Sequence, residues 1–480
     1  MSYFADLAFE AEIAARSLWE YVQGGALRLG VTGLSRAGKT VFVTAMIQNL
    51  IAGTRLPVLA ASAEGRIARV GLEPQPDDEV PRFPYEEHLS ALDGPERHWP
   101  QSTRRISELR LTIEFERVKR WGSGPSELRI DIVDYPGEWL LDLPLLEKSY
   151  AQWSRETIAA SRERGREALS ADWNFHLATL DPKAPADEDE ARRSAALFTD
   201  YLRRSREDSY ALSTLPPGRF LMPGELEDSP ALTFAPLDLA EGATPSERSL
   251  AAMMARRYES YKAHVVRPFF RDHFSRLDRQ IVLVDALSAL NSGPAALRDL
   301  ERALGEVLDA FRAGRASMLS TMFRPRVNRI LFAATKADHL HHTSHDRLEA
   351  LLRLLTQRAI ARAEGLGAEI DVIALAAVRA TREAEIRSGG QTFKAIVGTP
   401  ERGQSLGAEV FNGVSEAAVF PGELPADPST LLEGDSLALP EAENDWRFIK
   451  FRPPIAARGE PAPHIRLDRA LQFLLGDRLA

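Results

Sequence analysis

The chain has 480 residues, 60 basic against 69 acidic side chains for a formal net charge of -9, and no cysteine. That length is too great for one simple core and implies two or three structural units, or one domain with large insertions. The charge argues against a whole-molecule grip on nucleic acid or anionic lipid, and the absence of thiols excludes disulfides, Cys-ligated zinc and thiol catalysis.

From Tyr3 to Tyr21 the pattern predicts an amphipathic helix, with Phe4, Leu7, Ile13, Leu18 and Tyr21 available to one face. Acids run through its apolar positions and it lacks a basic start, so it does not fit a signal peptide. No uncharged apolar run reaches the roughly 18 residues of a membrane span. A cytoplasmic protein is expected.

A short strand at "ALRLGVTG" leads into "GLSRAGKT" and then the helical run "VFVTAMIQNLI". Pro74 to Pro100, rich in Pro, Asp and Glu, reads as a long loop. In "ELRLTIEFERV" the residues Leu109, Leu111, Ile113 and Phe115 share a face, and Leu128, Ile130 and Ile132 do the same after the expected turn "GSGPS". That predicts an antiparallel hairpin.

After Trp139 helical stripes take over: Leu146, Tyr150 and Trp153, then Leu197, Phe198, Tyr201 and Leu202, then Leu250, Met254, Tyr258 and Tyr261. Polar or proline-rich connectors separate them. Short apolar runs return as "RQIVLVDAL", "VNRILFAATKAD" and "AEIDVIALAAV", alternating with helical stretches, as strands buried on both faces of a parallel sheet do. Beyond Ser388 the chain is rich in Gly and Pro, with strand-like pieces such as "QTFKAIVG", and a helix carrying Leu467, Leu471 and Leu474 closes it. The expected organisation is an α/β domain in two parts, 1–139 and 276–385, around a mainly helical insertion, 140–275, with a C-terminal elaboration, 386–480.

Gly33 to Thr40 matches the phosphate-loop pattern G-x-x-x-x-G-K-[ST] in full, between a strand and a helix. Glycine is needed where a Cβ would keep backbone N–H groups from curling around phosphate oxygens. Gly33, Ser35, Arg36, Ala37, Gly38 and Val41 are the expected cradle, with Lys39 bridging β and γ phosphates and Thr40 ligating Mg2+. The dipole of the following helix adds to the site.

"DYPGEW", Asp134 to Trp139, would by itself be a strand-to-loop turn. Downstream of a phosphate loop, Asp134 is the expected water-mediated Mg2+ sensor and Gly137 a backbone donor to the γ phosphate. A threonine ahead of the Asp134 hairpin should also reach the metal: Thr103 is best placed and Ser102 second, against the alternative of a turn or cap hydroxyl. "TKAD", Thr335 to Asp338, ends an apolar strand. One carboxylate at Asp338 can accept from both N1–H and the 2-amino group of guanine, a pair that adenine cannot offer. Lys336 would lie along the base by its aliphatic stem, and Ala377 or Val378 would offer a backbone N–H to the guanine carbonyl. His341 and His345 could share a helical face as metal ligands, although a solvated loop explains them better, and Asp285 reads as a loop cap.

With these motifs in this order, the chain resembles Ras-like P-loop GTPases. "GLSRAGKT", "WPQSTRRISELRL", "DYPGEWLLDLPLL", "LMPGELEDSP", "RQIVLVDALSALNSGP" and "TKADHLHHTSHD" carry a closer resemblance, to the YcjX-like family of bacterial stress-associated GTP-binding proteins. The resemblance implies a mixed, mostly parallel Ras-like sheet, GTP and GDP binding with Mg2+, and a helical insertion after the second switch. It also implies a stress-response setting and a protein effector or regulator, in some bacteria a membrane protein that would place the chain at the inner membrane. In Ras-like enzymes a glutamine at the position of Glu138 orients the attacking water; a carboxylate beside a triphosphate is repelled or protonated. Slow intrinsic turnover follows, or a catalytic group from elsewhere, either Arg36 in cis or a partner. A P-loop ATPase or remodelling subunit, and a nucleotide-stabilised scaffold without useful hydrolysis, are the competing functions.

Overall fold

The computed structural model describes residues 25–480 except 35, 76, 102–104, 120–121, 164, 208–211, 213–215, 228, 241, 243–245, 311–326, 366, 389, 434–447 and 456–458. The helix expected from Tyr3 to Tyr21, and Ser35, Ser102 and Thr103, lie outside the described residues.

Seven strands form the main sheet: β1 (Leu27–Gly33), β2 (Ile67–Glu73), β3 (Ser107–Lys119), β4 (Gly122–Asp134), β5 (Arg279–Val284), β6 (Arg329–Ala334) and β7 (Glu369–Ala374). Their order is β2-β3-β4-β1-β5-β6-β7. β1 runs parallel to β4 and β5, and β5, β6 and β7 continue in parallel. β2 and β3, and β3 and β4, pair antiparallel. This is the mixed, mostly parallel α/β sheet that the sequence implies. The predicted hairpin has Leu109 opposite Ile132, Leu111 opposite Ile130 and Ile113 opposite Leu128, all buried, but the turn expected at Gly122 to Ser126 is strand, paired with Phe115 to Lys119, because the antiparallel ladder continues past the apolar alternation. Every residue of β5 is buried, as a strand covered on both faces must be.

On one face the phosphate-loop helix (Lys39–Ala52) and the closing helix (Leu467–Leu475) share a core with Val31, Leu111, Ile130, Ile281 and Leu331. The closing helix therefore belongs to the core of the sheet although the chain between it and β7 builds a separate antiparallel sheet from Arg382–Ser388, Gln391–Gly398 and Ala417–Val419. A helix at Tyr85–Asp93 packs on the same face through Phe83, Tyr85 and Leu92. Pro74 to Pro100 is thus not a loop throughout. Its Pro, Asp and Glu residues mask a helix whose buried positions are only Tyr85 and Leu92. The other face carries the helices Pro294–Ala310 and His345–Gly365 and runs without a break into the core of the insertion.

Within the insertion the helices Tyr150–Ser161, Glu167–Leu177, Glu188–Ser205 and Leu250–Tyr261 surround an aromatic core. Trp153 stacks on Tyr258 at 5.1 Å and Trp173 on Tyr201 at 5.5 Å. Ser149, Asp187 and Ser249 cap three of the helices by accepting from the N–H of Gln152, Glu190 and Ala252. The stripe of Leu146, Tyr150 and Trp153 crosses a break, because Gly137–Glu147 is a 3-10 helix and an α-helix begins only at Tyr150. Pro144 inside that segment cannot supply the N–H that an α-helix would use.

Asp142 fastens this 3-10 helix to the insertion. Its fully enclosed carboxylate accepts from Gly218 N at 2.7 Å, Arg219 N at 3.3 Å and Tyr261 Oη at 2.6 Å. Burial pushes its pKa up to about 6, against the pull of Tyr261 and Gly218. A carboxyl raised in the folded state holds its proton better there than in the unfolded chain. Stability is greatest below the unfolded value near 3.8 and falls as pH rises towards about 6. Urea unfolding of Asp142→Asn against the parent should show the variant gaining on the parent, by on the order of 2 kcal/mol, between pH 4 and pH 7. A pH-independent difference would refute the linkage.

Candidate functional site

β1 ends at Gly33, where an added Cβ would meet Leu283 O at 2.6 Å, so the strand-to-loop turn requires glycine. Gly38, at φ 82°, turns the chain into the following helix and leaves its N-terminus open. Lys39 is buried and donates from Nζ to Gly33 O at 3.0 Å, folding over the loop it would help to hold around a phosphate. Thr40 and Ala37 are buried, Val41 is half-buried, and Arg36 is exposed with φ 64°.

Asp134, also buried, ends β4 opposite Val31 of β1. It stands at the same end of the sheet as Thr40, and both offer the hard oxygen donors that suit Mg2+. Two residues after Tyr135, Gly137 packs directly on the phosphate loop. A Cβ there would lie 2.1 Å from Gly33 O and 2.8 Å from both Leu34 C and Lys39 Nζ. Only glycine permits this approach, and it brings the Gly137 backbone to the ammonium of Lys39. Tyr135 anchors the turn from below, with its hydroxyl against Thr32 Oγ1, which Gln280 Nε2 also reaches at 2.7 Å.

Glu138 is buried, at 5% exposure, and does not face open solvent. Its Oε1 lies 3.7 Å from Nη1 of Arg206, which caps the C-terminal end of the helix Glu188–Ser205. Gly218 of the insertion also presses on it, since a Cβ at 218 would fall 1.8 Å from Glu138 O. The turn after β4 is therefore clasped between the phosphate loop and the insertion. Arg206 had no signal in the sequence, because its partner belongs to another element far along the chain.

At the other end of the site, Thr335 N donates to Val284 O at 2.9 Å and continues the β5–β6 pairing. Lys336 takes a left-handed conformation at φ 60° and its ammonium pairs with Asp285. Asp285 also accepts from Ser288 N at 3.0 Å, capping the helix Ala286–Asn291 as expected. Asp338 is buried and its Oδ2 accepts from Ala380 N at 2.8 Å, while Thr381 Oγ1 donates to its carbonyl. Ala380 thus orients the carboxylate and Thr381 holds the backbone that carries it, roles the sequence could not reveal. Ala377 and Val378 lie between two tethers to the closing segment, Ala376 N to Ile465 O at 3.1 Å and Arg379 N to Pro463 O at 2.6 Å.

Neither the solvated loop expected around His341 and His345 nor their pairing as metal ligands forms: both side chains are buried, and His345 opens the helix His345–Gly365. His345 is buried with Nε2 at 2.9 Å from Ala337 O, so it braces the Asp338 turn. His341 gathers instead with His342 and Glu383, their nitrogen and oxygen donors within 4.8 Å of one another. Glu383 accepts from His342 N at 3.2 Å and its other oxygen lies 2.7 Å from His342 Nδ1, which satisfies both side chains without an ion.

The arrangement is two-ended: a glycine-lined loop with a lysine and paired oxygen donors at one end, and an oriented, buried carboxylate at the other. The cradle and its donors fit a nucleotide with Mg2+. Among the described residues no helix is long and apolar enough to cross a membrane. Comparison with known proteins matches residues 27–479 to the YcjX-like family model. The "Ras-like GTPase YcjX" of Escherichia coli strain K12 is 40% identical over 469 residues, spanning 94% of this chain and 96% of that protein. The protein of the same name from Shewanella oneidensis is 35% identical over 480 residues, spanning 94% of each. The signal recognition particle receptor SRb-GTP/SRX complex from Chaetomium thermophilum matches 74% of this chain and 91% of its own at 12% identity and a TM-score of 0.25, too slight a likeness to bear on the fold. The match over nearly the whole chain and the identity to two full-length relatives make this chain a member of the YcjX-like family.

Proposed function

We propose that the chain is a GTP- and GDP-binding switch protein that hydrolyses GTP slowly with Mg2+. The observation that carries this reading is the close packing of Gly137 on the phosphate loop, with Glu138 bound to the insertion. A γ phosphate arriving at Lys39 must move or fix this turn, and the turn is mechanically joined to the insertion. The naming of two relatives as Ras-like GTPases supports the reading.

In the proposed site the cradle of residues 33–41 receives the phosphates, Lys39 bridges β and γ, and Thr40 and Asp134 serve Mg2+, with Thr103 as the second switch ligand. Mg2+ neutralises the charge of the phosphates when bound. Asp338 reads the guanine edge, Thr335 and Lys336 set its turn, and Ala377 or Val378 donates to the guanine carbonyl. Glu138, a carboxylate near the γ phosphate, cannot hold an attacking water as an amide would, and this keeps turnover low. The helical insertion is the element that would carry the nucleotide state to a protein effector.

Single-turnover hydrolysis of GTP by the full chain tests the enzymatic half of this reading. Slow phosphate release that stops with EDTA, and a changed rate in Glu138→Gln, are expected. Release that is equal with and without Mg2+, or absent over many hours, would leave a nucleotide-stabilised scaffold as the better reading.

A further inference from the structure

We propose that Arg206, carried by the helical insertion, is the cation that stabilises the transition state at the γ phosphate, so that the chain supplies this catalytic residue to its own site. The inference rests on the reading of the site as a guanine-nucleotide hydrolase.

Position comes first. Arg206 Nη1 lies 3.7 Å from Glu138 Oε1. Glu138 directly follows Gly137, whose Cβ direction points to within 2.8 Å of Lys39 Nζ. The guanidinium therefore sits against the residue that directly follows the glycine packed on the phosphate loop. Arg36, the cation the sequence offers for this task, is exposed.

The way Arg206 is held is the second argument. Its side chain is 13% exposed and that of Glu138 is 6%. Among the described residues, Nε and Nη2 of Arg206 are enclosed without a hydrogen-bond partner. Contrast Arg110, whose Nε and Nη2 fork onto the two oxygens of Asp131 at 2.6 and 2.8 Å. Arg28, Arg166 and Arg279 each leave one nitrogen enclosed in the same way, but each is held by a close ion pair, with Glu108, Asp299 and Asp477. Arg206 makes one loose contact and keeps the rest of its fork unused, although the guanidinium stays charged at any physiological pH. Burial lowers its proton affinity, opposed by Glu138, Asp142 and Asp299, while Arg36 adds to the lowering. Of these acids only Glu138 contacts the guanidinium, since Asp142 is held by Tyr261 and Gly218 and Asp299 by Arg166. Planar N–H donors in a sheltered site are matched to phosphate oxygens.

The chemistry needs such a group. The water oxygen bonds to the γ phosphorus, the bond from phosphorus to the bridging oxygen breaks, its electron pair passes to the β phosphate, and the water proton leaves with the released phosphate. Negative charge grows on the bridging oxygen as the bond opens. A guanidinium moving from Glu138 to the γ phosphate neutralises that charge, whereas the carboxylate of Glu138 competes for it and restrains the rate.

Aluminium fluoride, which with GDP imitates the phosphoryl group in transfer, provides a readout that does not depend on turnover. The experiment uses full-length protein, GDP, Mg2+ and aluminium fluoride, followed by fluorine NMR, with GDP affinity and thermal midpoint measured in parallel. The parent protein is expected to take up aluminium fluoride with GDP and no partner protein. Arg206→Ala should lose that uptake and slow single-turnover hydrolysis by roughly 10^3-fold, while GDP affinity stays within about threefold. Arg206→Lys, which keeps the charge and the contact with Glu138, should fold normally and still lose most of the effect, because a point charge cannot fork. Uptake and hydrolysis that survive in either variant, or a parent that binds GDP but takes up no aluminium fluoride, would overturn the inference. Failure of the parent to bind GDP at all would instead overturn the nucleotide reading beneath it.

Discussion

Asp338→Asn is expected to weaken GDP binding by on the order of 10^2 to 10^3-fold and to create affinity for xanthosine diphosphate. The reason lies in how Asp338 is held. Its Oδ2 accepts from Ala380 N at 2.8 Å. An asparagine must keep its carbonyl oxygen towards that N–H, which turns its amide NH2 to the base. Guanine presents N1–H and a 2-amino group, so the NH2 meets another donor and the pair is lost. Xanthine presents a carbonyl at the same place and accepts from it. Because the Ala380 contact survives, the unliganded variant should melt where the parent does. Calorimetric titration with both diphosphates checks this; an unchanged preference for GDP would show that Asp338 does not read the base.

Gly137→Ala should have the next largest effect. The added methyl would lie 2.1 Å from Gly33 O and 2.8 Å from Leu34 C, both backbone atoms that cannot step aside as a flexible side chain would. Either the turn retreats or the phosphate loop deforms, at about 1–3 kcal/mol. In both cases the Gly137 backbone is displaced from its packing on the phosphate loop and Lys39. A non-hydrolysable GTP analogue should bind roughly 10–100-fold more weakly, with GDP affected much less because it lacks the γ phosphate. Equal loss for both nucleotides would mean that Gly137 shapes the loop in general and senses no γ phosphate. Protease digestion adds a check on the switch itself: the parent's insertion should be cut differently with GDP and with the analogue, and Gly137→Ala should abolish that difference.

What could be read from the sequence was local. β3 and β4 announce themselves by strict alternation, and their register follows from it: Leu111 opposite Ile130, both buried. The phosphate loop and Thr335 to Asp338 are short, and their chemistry is contained in adjacent residues. β2 was harder to see, because as an edge strand it has no fully buried residue and so lacks an apolar pattern. The helix at Tyr85–Asp93 hides in acidic and proline-rich surroundings for a similar reason. The groups that orient the site were not legible at all. Ala380 lies 42 residues from the carboxylate it holds. Arg206 and Gly218 meet Glu138 only because the insertion folds back over the turn after β4. No period or motif encodes such meetings; they depend on tertiary packing.

The insertion is the part of the molecule in which those long-range contacts converge. Asp142 ties the segment after Glu138 to Gly218, Arg219 and Tyr261, and Arg206 reaches Glu138 itself. A displacement of the Gly137–Glu138 turn therefore has a short, packed route to the outer helices. Phe451 joins two distant segments: its carbonyl accepts from Trp99 Nε1 at 2.6 Å, and its ring meets that of His339 edge-on at 5.5 Å. The segment holding Phe451 thus connects the chain ahead of Thr103 to the turn that carries Asp338.

The most direct measurement is calorimetric titration of the purified full chain with GDP and with ADP, each with Mg2+ at the same ionic strength. GDP binding at least roughly 100-fold tighter than ADP is the predicted result, since adenine offers the buried Asp338 carboxylate no counterpart to the N1–H and 2-amino donors of guanine. Equal affinities for the two nucleotides, or no binding of GDP, would contradict the account.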